Sequence, residues 1–273
     1  MKWGIDVSRW QGNFNFELAK RQGIEFAILK AGGGDAGLYA DGKFERNMKE
    51  CERLGIPVGA YFFGQAMDTN QAMKEAEYFC KLLKGRQFPI KVWYDVEAKM
   101  LKAAGLSTIV ITFIERMRAA GYDCGIYASE SSLKKLCNTA AINNYPHWVA
   151  RWTKSKPSIK TDIWQFGGET NLLRSNKVAG QTCDQNYLYN ESWISGTAPV
   201  PVPKKEEYDM LPTIKKGSRG KAVKIWQVII GVTADGIFGP KTAQKTADMQ
   251  SKWGLEPDSI VGPKTWKAGI GSI

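Results

Sequence analysis

Eight short runs of β-branched, aromatic and small apolar residues recur through the first 190 positions, with helix-like segments between the early ones. The runs are 2–7 (KWGIDV), 25–31 (EFAILKA), 57–63 (PVGAYFF), 90–97 (IKVWYDVE), 124–128 (CGIYA), 147–152 (HWVARW), 162–166 (DIWQF) and 183–188 (CDQNYL). Asp68 to Leu83 is the clearest helix. Asp68 with Gln71 three residues on resembles a capping box, and Ala72, Ala76, Phe79 and Leu83 share one helical face. Further helices fit 43–54, 107–120 and 130–138. Strand, helix, strand in repetition implies a parallel sheet, and eight strands in this length suggest a closed barrel. The last three runs leave no room for full helices between them. The expected fold class is therefore α/β: residues 1–191 form an irregular (β/α) barrel of five β/α units plus three strands.

After the barrel comes SWISGTAPVPVPKKEEYDM, residues 192–210, whose alternating prolines resist both helix and central strand. This segment reads as a linker. Beyond it, DGIFGPKT (235–242) returns as DSIVGPKT (258–265), and Gly-Pro in each copy is a helix start. A preceding helix near 219–230 carries Val223, Trp226 and Ile230 on one face. Residues 211–273 are thus expected to form a second, small three-helix domain.

Several chemistries are excluded early. His147 is the one histidine, so no zinc site can be built on two histidines, and no metal or other cofactor is expected. The five cysteines are scattered without C-x-x-C spacing, which fits reduced thiols rather than a disulfide framework. No apolar run approaches bilayer-spanning length, so no stable membrane association is expected. The N-terminus MKWGIDVSRW lacks a secretory apolar region, which points to synthesis in the cytoplasm. The net charge is +11, and residues 211–273 carry ten Lys or Arg against four Asp or Glu, a surface suited to an acidic polymer. No nucleic-acid motif accompanies that charge.

The run KVWYDVE places Asp95 and Glu97 two residues apart in a strand, hence on one face with α-carbons about 6.5 to 7 Å apart. Two carboxyls in one partly buried site drive each other's pKa values apart, leaving a proton donor beside an anion. In β/α barrels the chemistry sits at the C-terminal ends of the strands. There Asp6 ends the first run, Tyr61 lies in the third, Asp95 and Glu97 end the fourth, and Tyr127 ends the fifth. Trp148 to Trp152 lie on the sixth, Trp164 and Gln165 on the seventh, and Asp184 opens the eighth. Aromatic faces stack on sugar rings, and paired carboxyls flanking a glycosidic bond supply acid and anion for its hydrolysis. Packing competes with stacking as the role of Trp93 and Trp164. A carbohydrate-cleaving cup is the reading that uses all of these residues.

The blocks GIDVSRWQG, FAILKAGGGD, GIPVGAYFF, VWYDVE, GIYAS, HWVARW, IWQF and CDQNYL resemble, in the same order, the signature blocks of family 25 glycoside hydrolases. These are the muramidases that many bacteriophages use as endolysins. The resemblance covers about residues 2–190, and IKKGSRGKAVKIWQ with the two GPKT turns resembles a type 1 peptidoglycan-binding domain. It implies cleavage of the β-1,4 bond between N-acetylmuramic acid and N-acetylglucosamine, with peptidoglycan as partner and action on the wall outside the membrane. It implies Glu97 as general acid, Asp95 as its neighbouring carboxylate, Asp6 and Asp184 as further acids, and Tyr61 and Tyr127 at the rim. Trp148, Trp164 and Gln165 complete the expected substrate-binding set. The eighth block departs from the family's D-hydrophobic-N-Y in having Gln185. A non-catalytic wall-binding protein is the alternative, and the intact Asp95–Glu97 pair argues against it.

Overall fold

The structure, a computed structural model, describes residues 1–168, 171–195 and 211–271. The chain folds as two compact units, one containing every barrel strand and the other the C-terminal helices. The barrel strands are β1 (Lys2–Val7), β2 (Phe26–Gly33), β3 (Val58–Phe63), β4 (Val92–Asp95), β5 (Cys124–Ser129), β6 (His147–Ala150), β7 (Ile163–Gly167) and β8 (Asp184–Leu188). Helices α1 (Phe16–Arg21), α2 (Phe44–Leu54), α3 (Thr69–Leu83), α4 (Leu106–Ala119) and α5 (Glu130–Leu136) alternate with the early strands. Asp68 caps α3 as its sequence suggests, accepting the Gln71 N–H at 2.8 Å.

Strands β1 to β7 pair in parallel, and β8 closes the ring by pairing antiparallel with both β7 and β1. Strand-helix alternation implied a parallel sheet in an irregular barrel ending in three strands without full helices between them, and the last of those three runs antiparallel. A parallel return needs a crossover, usually a helix. Between β7 and β8 the described residues hold only a small hairpin, Lys177–Val178 with Gln181–Thr182, so the chain turns straight back. Because of that reversal Asp184, the first residue of β8, stands opposite Asp6 near the end of β1.

Side chains alternate inward and outward along each strand. The inward set of the lower barrel is Phe26, Ile28, Trp93, Trp148, Ile163 and Leu188, packed with Ile90 into one cluster. The outward set packs beneath the helices: Phe62, Phe79 and Phe113 meet at 5.5 to 6.2 Å, and Tyr94 stacks on Phe113 at 3.6 Å. Ser192–Ser195, the start of the proline-rich segment, is a helical turn whose Trp193 and Ile194 pack against the barrel core. The rest of that segment, 196–210, lies outside the described residues.

The second unit holds α6 (Lys221–Ile229), α7 (Pro240–Lys252) and α8 (Pro263–Gly271) around Ile214, Val223, Trp226, Phe238, Val261 and Trp266. Its repeated turns are more than caps. Gln227 Nε2 donates to Asp235 Oδ1 (2.7 Å), Ile237 O (3.0 Å) and Thr242 Oγ1 (3.0 Å), while its Oε1 accepts from Gly236 N (2.8 Å). Gln250 does the same one repeat later, to Asp258 Oδ1 (2.8 Å), Ile260 O (3.0 Å) and Thr265 Oγ1 (3.1 Å), accepting from Ser259 N at 2.9 Å. Each buried glutamine thus satisfies the backbone of its own turn.

Candidate active site

The cup is assembled from the upper, inward positions of the strands. β4 ends at Asp95 rather than reaching 97, but Glu97 keeps extended backbone (φ −149°, ψ −167°), so the alternation carries on and its carboxyl follows that of Asp95. The neighbouring strands pin this stretch: Gly64 N donates to Asp95 O at 2.9 Å and Val96 N to Tyr127 O at 2.9 Å. Gly64 must be glycine for this approach, because a Cβ there would sit 2.6 Å from the Tyr94 ring. Directly after Glu97 the chain turns through Ala98 in the left-handed region (φ 51°), a conformation that costs a non-glycine residue about 1 kcal/mol. Strain of this kind persists only where its surroundings over-determine it, as they do here.

The two acids of the pair differ in access. Asp95 is buried and Glu97 is open to solvent. Burial holds the Asp95 carboxyl well above the usual carboxylate range, Glu97 and Asp6 raise it further, and the Lys30 ammonium opposes them. Although Glu97 is the more open of the two, its partial burial by the surrounding cup also raises it, again against Lys30. Asp95 Oδ1 is buried with no hydrogen-bond partner among the described residues. A buried carboxyl oxygen without a donor disfavours the anion, so Asp95 holds its proton beyond the ordinary range.

Asp6 is buried, and its Oδ2 accepts from Asn186 Nδ2 at 2.8 Å and Gln165 Nε2 at 3.1 Å. Burial pushes its carboxyl up to about 6 in spite of those donors, with a smaller upward push from Glu97. Asp184 is its register partner across β1 and β8. Tyr127 donates its hydroxyl to Gln165 Oε1 at 2.9 Å. Tyr61 lies beside Trp93 in the sheet register, and burial followed by the Asp6 and Asp95 charges holds its phenol well above its ordinary range. The structure therefore brings Asp6, Asp95, Glu97, Tyr61, Tyr127 and Gln165 together around one electrostatically coupled cup.

Two expected aromatics stand elsewhere. Trp164 neighbours Gln165 on β7, so only one of them can face inward. Gln165 does; Trp164, 4% exposed, packs outside the barrel against Phe166 and Tyr187 and donates to Arg151 O. Its assignment as a sugar platform is corrected on that ground. Trp148 is 1% exposed and lies under the cup, edge-on to Tyr61 and 4.4 Å from Tyr127, so it supports the rim without presenting a face. The available indoles are Trp152, 42% exposed with its N–H on Gln165 Oε1 at 3.0 Å, and Trp10, 76% exposed just beyond β1.

Sequence reasoning also passed over Lys30 and Asn186. Lys30 is the lone charge inside the apolar run FAILKAGG, and its ammonium stands 4.7 Å from the Phe63 ring centroid and 5.8 Å from that of Tyr61. Asn186 shares the inward parity of Asp184. Gln185 faces outward, accepting from Trp3 Nε1 and donating to Ser175 O, so the departure from the family pattern is absorbed outside the cup. His147 is buried with both ring nitrogens against backbone carbonyls of Ile142 and Lys160. All five cysteines are free thiols, and Cys183 lies against the Asp6 carbonyl at 3.4 Å. Among the described residues no cluster of His, Cys, Asp or Glu could hold a metal ion.

Comparison with known proteins gives the same picture from outside. The family model of glycosyl hydrolases family 25 matches residues 5–173, and a model for a peptidoglycan binding domain matches residues 226–268. The Autolytic lysozyme of Clostridium acetobutylicum is 26% identical over 265 residues, 96% of this chain and 76% of that protein. Lysozyme M1 of Streptomyces globisporus is 28% identical over 214 residues, 69% of this chain and 71% of that protein. Among solved structures, the bacterial lysozyme of Streptomyces coelicolor superposes with a TM-score of 0.57 at 27% identity, covering 69% of this chain and 92% of that one.

Proposed function

The chain belongs to the glycosyl hydrolases of family 25, and on that premise we propose that its barrel cleaves the β-1,4 bond between N-acetylmuramic acid and N-acetylglucosamine in peptidoglycan, with Glu97 as general acid. It is a glycoside hydrolase of the lysozyme type that acts on the cell wall. The observation that carries the assignment of roles is the unequal pair at the end of β4. Glu97 is the member a glycosidic oxygen can reach, and its partial burial keeps it protonated further toward neutral pH than a free glutamate, against the opposing Lys30 charge. Asp95, buried beneath it, is the neighbouring carboxyl: as Glu97 gives its proton to the leaving oxygen, the Asp95 proton passes to Glu97, and the Asp95 carboxylate so formed offsets the positive charge of the oxocarbenium-like centre. Asp6 and Asp184 act from the facing side of the cup, and Tyr61 and Tyr127 line it. Trp152 and Trp10 are the rim indoles positioned to stack on sugar rings.

The same reading assigns residues 1–191 to catalysis, 192–210 to a tether and 211–273 to holding the enzyme on the wall. It makes the protein a phage endolysin, made in a host cytoplasm and acting beyond the membrane. The match to a peptidoglycan binding domain supports the wall as its place of action. Among the described residues no helix is long and apolar enough to cross a membrane.

The deciding experiment digests purified peptidoglycan with wild type and Glu97→Gln, reduces the products with borohydride and identifies the new ends by mass spectrometry. Muramic acid ends from the wild type alone are expected. Glucosaminidase ends would move the cleaved bond, and no new ends from either protein would leave only wall binding.

A further inference from the structure

Asn186 and Gln165 are amides, and an amide can face a neighbour with its oxygen or with its NH2 group. Against Asp6 the two choices are opposite in sign: NH2 donates to the carboxylate, whereas oxygen repels it. The choice is fixed by partners that can act in one way only. An indole N–H donates and never accepts. Trp148 Nε1 stands 2.8 Å from Asn186 Oδ1, and Trp152 Nε1 stands 3.0 Å from Gln165 Oε1. Each amide oxygen is held by an indole, and the Tyr127 hydroxyl adds a second donor to Gln165 Oε1. Each NH2 is thereby turned to Asp6, and both converge on the same oxygen, Oδ2.

We propose that Trp148 and Trp152 are one-way donors that set the polarity of an amide clamp on Asp6, which makes Asn186 and Gln165 positioning residues for that carboxylate. The clamp is built on strands rather than loops: Asn186 and Gln165 are register partners on β8 and β7, and β8 pairs with β1, which carries Asp6. Three of the four members, Trp148, Asn186 and Gln165, are almost fully buried, so water cannot substitute for a missing donor without reopening the core. Two amide donors acting against burial agree with the direction of their effects on the Asp6 proton. The kinetic consequence rests on the glycosidase reading above, while the clamp itself does not.

The test follows the Asp6 carboxyl by carbon-13 NMR in the full-length protein, with no substrate present. Trp148→Phe keeps a ring in the core and deletes the one-way donor, so Asn186 is free to turn its oxygen toward Asp6. The Asp6 titration is expected to move upward from about 6, and kcat/KM on peptidoglycan at pH 7 to fall about tenfold, the scale of one hydrogen bond to a charge. Asn186→Ser, which removes the donor with a smaller change of volume, is expected to move the titration the same way. An unchanged Asp6 titration in both variants overturns the clamp, even if the enzyme cleaves the wall. A shifted titration in a protein that releases no reducing ends sustains the clamp and removes the muramidase reading.

Discussion

Gly168 clears the space that the Asp184 carboxylate occupies: a Cβ built at Gly168 would land on Asp184 Oδ1. The glycine follows β7 and the acid opens β8, so the two meet where the chain reverses. Gly168→Ala is expected to push Asp184 out of the cup and lower kcat/KM by about tenfold or more, since small misplacements of a reacting group are costly. Far-UV circular dichroism should stay at the wild-type level, and a variant with unchanged kinetics would show that the position of Asp184 does not matter.

Lys30 lowers the proton affinity of both Asp95 and Glu97. In Lys30→Met both carboxyls hold their protons to higher pH. The pH profile of kcat/KM is therefore expected to move bodily upward. Measuring rates on soluble glycan fragments from pH 4 to 9 checks the direction, and a downward shift would contradict the proposed charge balance.

The Asp6 carboxyl titrates at about 6 in the fold against 3.8 for an unperturbed aspartate. A carboxyl with a raised folded pKa binds more protons in the native than in the unfolded state, so stability is lost as pH rises from 4 to 6. The loss amounts to about 3 kcal/mol. Asp6→Asn cannot ionise. Its stability relative to wild type, read from urea unfolding, is expected to improve by an amount of that order between pH 4 and pH 7, while activity is lost. A pH-independent difference would place the proton elsewhere.

Trp152 and Trp164 differ in where they face. Trp152→Ala is expected to raise KM about tenfold, the scale of a lost sugar-stacking face. Trp164→Leu removes packing outside the barrel and is expected to cost about 2 kcal/mol of stability with KM unchanged. Steady-state kinetics beside thermal melts separate the two.

Gln227 and Gln250 make equivalent sets of hydrogen bonds in the C-terminal unit. Replacing either by Ala strands a buried turn backbone and should cost about 2 to 3 kcal/mol. Nearly equal losses in the two variants are expected in urea melts that follow the loss of wall binding.

Much of this arrangement is legible in the chain itself. Period-two apolar runs locate the strands within two residues at their ends, and the D-x-E spacing keeps Asp95 and Glu97 on one face even though β4 stops at Asp95. Strand direction is another matter, because alternation looks the same read up or down. A missing helix does not mark the reversal of β8 either, since β6 and β7 are joined without one and still run parallel. Parity could have separated Trp164 from Gln165, since neighbours on a strand face opposite sides. Lys30 was visible as a lone charge in an apolar run. The two-amide clamp on Asp6 was not, because its members come from β1, β7 and β8 and meet only when the ring closes.

The reversed eighth strand also bears on how such a cleft can diversify. β7 climbs to the cup and β8 descends from it, so the connection between Gly167 and Asp184 leaves and re-enters the barrel at the same end. A β/α crossover must span the height of the barrel, whereas the two ends of this connection lie side by side. Doubling its length would cost about 0.6 kcal/mol of closure entropy. The wall of the cleft beside Asp6 and Asp184 is thus open to insertion and deletion, and a lineage can reshape which glycans it admits there while leaving the acids on their strands.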